Sequence, residues 1–100
     1  DQRSLALHRA VAARLLEDPE VLERARRRVR EWLETAAVDR RWAVAWREVL
    51  ERSPAEVARF LCDTSQRARD LRQSSPFAGS LEPRERWAIL RGLRSARRSA

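Results

Sequence analysis

Three of the four prolines in this chain open the same kind of motif: Asp18-Pro19-Glu20, Ser53-Pro54-Ala55-Glu56 and Glu82-Pro83-Arg84-Glu85. Proline suits the first position of a helix, because its missing N–H would be unpaired there anyway and its fixed φ is already helical. An acid in the first turn is favoured by the helix dipole, and Ser53 with Glu56 has the spacing of a capping box. Each motif therefore predicts a helix start. A chain of 100 residues cut at these points holds a single core and only short helices.

The apolar residues between the starts recur at three- and four-residue steps, as buried helix faces require. The stripes are Leu7, Val11, Ala12 and Leu15; Val21, Leu22, Ala25, Val29, Trp32 and Leu33; and Trp42, Ala45, Trp46, Val49 and Leu50. Ser4 is the expected cap of the first helix, which runs to about Glu17. The second starts at Pro19 and fades over residues 35–38, where no polar cap is evident. Asp39 caps a third, whose Trp42 and Trp46 are expected to anchor the core. A fourth runs from Pro54 to about Cys62. Asp63, Thr64 and Ser65 then compete for backbone hydrogen bonds, so a fifth helix follows to about Gln73, unless the break is only a kink. Residues 74–79 form a loop, and a last helix from Pro83 turns Trp87, Leu90 and Leu93 inward. The expected fold is all-α: a compact bundle of five to six short helices in one domain, residues 1–94. Residues 95–100 form a basic tail expected to fray.

Composition restricts the function classes. His8 and Cys62 are the sole residues of their types, stand far apart and bring no nucleophile–base pair together, and there is no glycine-rich phosphate loop. His8 is expected at the surface or flanking its helix, and Cys62 as a small apolar side chain. Neither catalysis, metal nor cofactor is expected. A lone cysteine, with no leader-like or membrane-spanning apolar run, points to a reducing cytoplasm and no membrane partner.

All 22 basic residues are arginine, and the formal charge is +7. Codon bias in a GC-rich genome explains the choice of arginine over lysine, but the charge still attracts phosphate or acidic protein surfaces. The block Arg24-Ala25-Arg26-Arg27-Arg28-Val29-Arg30 reads either as a phosphate-tracking stripe or, with glutamates one turn away, as a solvated helix face. Pairs at four-residue spacing, such as Glu20 with Arg24, favour the second reading. Arg91, Arg94, Arg97 and Arg98 have no acid among or after them, which makes that end a cationic arm.

The segment from Glu56 to Gln73 has most of a helix-turn-helix pattern: Val57, Ala58 and Leu61, a turn near residues 62–64, then Ala68 and Leu71 packing back. It would present Ser65, Gln66, Arg67, Arg69 and Arg72 to double-stranded DNA, with Arg94, Arg97 and Arg98 as phosphate contacts. Cys62 stands where glycine is usual and Asp63 where an apolar residue is usual. A helix pair with a polar break gives the same pattern. Beyond it, Phe77 with Arg72 and Gln73 offers a protein-contact loop, the alternative being that Phe77 folds back and plugs the bundle.

Residues 5–91 resemble small helical proteins of GC-rich bacteria that accompany toxin genes. The resemblance is carried by Leu5-Ala6-Leu7-His8-Arg9, by Arg69-Asp70-Leu71-Arg72-Gln73-Ser74-Ser75-Pro76-Phe77-Ala78-Gly79 and by Pro83-Arg84-Glu85-Arg86-Trp87. It implies an antitoxin-like protein that covers a toxin's active surface and can repress its own operon. The alternative is a helix-turn-helix transcriptional regulator without a toxin; symmetric operator binding would require a homodimer.

Overall fold

The computed structural model describes the backbone of residues 2–99 and the side chains as far as residue 96. Its six helices are α1 (Gln2–Glu17), α2 (Pro19–Thr35), α3 (Arg40–Leu50), α4 (Pro54–Leu61), α5 (Gln66–Arg72) and α6 (Pro83–Ser99), and no strand occurs among the described residues. The all-α bundle of short helices is the observed fold. α6 extends to Ser99, into the segment read above as a tail.

Local chemistry sets most boundaries. The Asp18 carboxylate accepts the Glu20 N–H at 3.0 Å and the Asp39 carboxylate accepts the Arg41 N–H at 2.8 Å, so both act as caps. Ser53 and Glu56 form the reciprocal capping box, and these hydrogen bonds hold the Glu56 carboxyl below its ordinary pKa. Ser4 is not a cap: α1 begins before it, at Gln2. The end of α2 is stopped by the main chain itself. Ala36 adopts left-handed geometry at φ 58° and donates its N–H to the Trp32 carbonyl at 2.9 Å.

α1 packs most extensively on α4 and α2 on α3, while α5 lies against α1, α3 and α4. The core between them holds Val11, Leu15, Val29, Val49, Leu61 and Leu71 around Trp46, which is fully buried. Phe60 and Phe77 present their rings edge-on to Trp46, with centroids 5.9 and 6.0 Å away, the geometry that aromatic quadrupoles favour. Trp42 is only half-buried and lies under the Arg41 guanidinium, 5.0 Å from the ring centroid.

The arginine block of α2 serves largely the fold. Arg26 donates to the Leu50 carbonyl at 2.9 Å and pairs with Glu23 at 2.5 Å, closing the end of α3. Arg28 donates to the Ala78 carbonyl at 2.7 Å and tethers the loop before α6. Glu20 meets Arg24 at 3.9 Å, as its spacing predicts, and meets Arg27 more closely at 2.6 Å.

α6 departs from expectation. It packs mainly on α1, and none of its described residues is buried. Trp87, read as facing inward, is 60% exposed. Periodicity marks an apolar face but does not say what covers it, and the preceding helices are already packed on one another.

Candidate interaction surface

The turn between α4 and α5 is assembled from short polar side chains. The Asp63 carboxylate accepts the Ser65 N–H at 2.8 Å, and the Ser65 hydroxyl then accepts the Ala68 N–H at 3.2 Å as the cap of α5. Arg72 reaches back from the last turn of α5, and its Nη1 donates to the Asp63 carbonyl at 2.6 Å. Only 5% of Arg72 is exposed, and its burial lowers the guanidinium pKa, with the Asp63 charge opposing that shift. Its Nη1 is thus committed to the Leu61 and Asp63 carbonyls, and the residue is withdrawn from the exposed set expected to contact DNA.

Gln66, Arg67 and Arg69 remain exposed on α5. Acids accompany them: Gln66 donates to the Asp70 carboxylate at 2.8 Å, and Arg67 lines a hollow between α3 and α5 together with Glu48 and Asp70. Ser65 is spent as the helix cap. Arg94 is exposed on α6, a different element, and the side chains of Arg97 and Arg98 lie outside the described residues.

His8 is not on the surface. It is 8% exposed and joins α1 to the loop of residues 74–79. The Ser4 carbonyl lies 2.7 Å from Nδ1, so this nitrogen carries the proton; Nε2 accepts the Ser75 hydroxyl at 2.8 Å. The Ser75 oxygen in turn accepts the Phe77 N–H at 3.2 Å, and Gly79 takes the positive φ of 83° at the end of the loop. Burial is the main force lowering the His8 pKa; the Ser4 carbonyl opposes it and the Arg72 charge adds to it. Both ring nitrogens are therefore engaged, Nδ1 within α1 and Nε2 in holding the loop, and Phe77, 3% exposed, plugs the bundle as its alternative reading required.

A groove of about 820 Å³ opens between α1, the start of α6 and this loop. Arg72, Gln73 and Phe77, the three residues expected to contact a protein partner, are brought together on its lining, with Gln73 the exposed one. Its apolar wall includes Leu7, Leu81, Trp87 and Leu90 and the buried Val11; of these Leu7, Val11, Trp87 and Leu90 lie on stripes whose periodicity predicts an inward face. Among the described residues no carboxylate lines it, whereas Arg3, Arg72, Arg86 and His8 do. Glu85 is drawn away towards α1, where its bond to Arg14 holds the carboxyl below its ordinary pKa. The signal for this surface was the run from Arg86 to the end of the chain, which contains no acid yet interleaves arginines with Trp87, Leu90 and Leu93.

Among the described residues no group of three or more His, Cys, Asp or Glu side chains could hold a metal ion, and no helix is long and apolar enough to cross a membrane. No family model, curated protein or solved structure matches the chain.

Proposed function

We propose that the chain is a regulatory binding protein of the antitoxin type, neutralising a cognate toxin by covering its working surface. The observation that carries this reading is the exposed Trp87 beside a groove whose lining, among the described residues, holds arginines and no carboxylate. Fully burying a large apolar side chain is worth roughly 1.5–3 kcal/mol, a gain α6 forgoes within the chain and a partner can recover. Tryptophan and arginine are also the residues that most often dominate protein interfaces. A non-catalytic role fits the state of His8, whose nitrogens are both occupied, Nδ1 by the Ser4 carbonyl of its own helix and Nε2 by the loop residue Ser75.

Co-expression tests the reading. The product of the adjacent gene should arrest growth alone and be harmless when this chain is made with it; failure of that rescue removes the reading.

A second reading, operator binding, is favoured by the exposed Gln66, Arg67 and Arg69 on a helix set off from α4 by a four-residue turn. α5 is short, about 10 Å at the usual rise, so few base pairs lie within its reach. Gln66→Ala and Arg67→Ala should change sequence preference, while Arg97→Ala weakens binding to all duplexes alike. Equal affinity for random duplex, unaffected by the first two substitutions, would remove operator binding.

A further inference from the structure

We infer that the groove between α1 and α6 receives an amphipathic helix of the protein partner, apolar on its inner face and acidic on its flanks, with Trp87 and Arg86 as its principal contacts. The inference rests on the binding-protein reading above and supplies the partner's chemistry.

Shape gives the first argument. On α1, Arg3 and Leu7 stand one turn apart; on α6, Trp87 and Leu90 follow Arg86 at one and four residues. These are two helical stripes facing one trough, and a third helix laid along it would meet ridges on both sides. A small-molecule site would enclose most of its ligand. Here Trp87 stands on an exposed rim.

Charge gives the second argument. Among the described residues arginine and histidine are the only ionisable ones on the lining, and the one acid in the first turn of α6, Glu85, is paired with Arg14 on α1. Carboxylates on an incoming helix would therefore meet the exposed Arg86 with no competing acid among the described residues of the lining, and lysines would be repelled. A nucleic-acid backbone would also satisfy the arginines. It would, however, set phosphates against Leu7, Leu81 and Leu90, so the apolar half of the lining selects a polypeptide.

The test uses the full chain and a fluorescein-labelled synthetic helix with leucine at alternating three- and four-residue steps and glutamate on its flanks. Controls are the same peptide with lysine for glutamate and one with scrambled leucine spacing. Anisotropy should rise with the glutamate peptide alone. Trp87→Ala and Arg86→Glu should each weaken it by about tenfold or more. Arg86→Glu should also improve affinity for the lysine peptide. Both side chains are exposed, so circular dichroism and the unfolding midpoint should stay at wild-type values. The inference is overturned if no peptide binds, if all three bind equally, or if the substitutions change duplex DNA binding and not peptide binding. Rescue of growth by a Trp87→Ala, Arg86→Glu double variant as complete as by wild type would end the groove assignment and leave toxin neutralisation standing. Expected peptide behaviour without any wild-type rescue would do the reverse.

Discussion

The indole Nε1 of Trp46 donates to the Leu71 carbonyl at 3.0 Å, so the largest buried side chain of α3 also fastens the end of α5. The same carbonyl accepts the Ser74 N–H at 3.1 Å and would keep that partner without the indole. Trp46→Phe should therefore cost only about 1–2 kcal/mol, and Trp46→Ala, which also leaves a cavity, about 3–5 kcal/mol. Urea unfolding followed by far-ultraviolet circular dichroism measures both; equal losses would mean that the indole hydrogen bond, which both variants lack, holds α5 and that packing adds nothing.

Arg72 should behave as a strut. Arg72→Met keeps an unbranched apolar stem and removes the donor to the Asp63 carbonyl, for an expected loss of about 1–3 kcal/mol in denaturant unfolding. Arg67→Met and Arg69→Met, on exposed positions of the same helix, should stay within about 0.5 kcal/mol of wild type. If Arg72→Met is equally innocuous, the guanidinium does not support the turn.

His8 predicts a pH dependence with a defined sign. Burial depresses its folded-state pKa, so the unfolded chain binds a proton more readily. Stability should be full above the unfolded value of about 6.5, fall as the pH drops below it, and level off beneath the folded value. Glu56 and Glu85, also depressed, keep their contributions above the unfolded value of 4.5 and lose them below it, as the pH falls through their lower folded values. Unfolding free energies between pH 7 and 5 should decline for wild type and stay flatter for His8→Gln. Parallel curves would mean that His8 titrates normally.

Ala36 holds a conformation that a Cβ disfavours, with φ 58° at the end of α2. Left-handed geometry costs roughly 1–2 kcal/mol for a residue with a side chain, and glycine gives back part of that gain through its freer unfolded state. Ala36→Gly should raise stability by about 0.5–1 kcal/mol and increase the thermal midpoint. A decrease would show that the helix end gains from the methyl group what it loses in strain.

The helix starts were legible because their chemistry is local: Asp18, Asp39 and Ser53 cap the helices expected of them, and the proline motifs fall at first helical positions. The stripes of the first five helices were legible for a similar reason, since periodicity records which face is apolar. What each face meets is a tertiary property. Trp87 and Trp46 both sit on amphipathic stripes, yet one is sealed in the core and the other stands on a rim. His8 and Ser75 are 67 residues apart, and no local pattern relates them. Arg72 was read as a surface cation because arginine usually is one; only the bare Asp63 carbonyl beside it turns it inward. The candidate groove was half visible, through Gln73 and the acid-free end of the chain, but its α1 wall was hidden among residues assigned to the core.

The packing of α1 chiefly on α4 has a consequence during synthesis. The ribosome releases the first helix well before the segment from Pro54 to Leu61 that shields Val11 and Leu15, and Ser75 emerges later still to meet His8. Until then α1 presents an oily, half-covered face. A transcript truncated ahead of Pro54 would yield a product suited to chaperone capture or proteolysis instead of a smaller folded version of the protein.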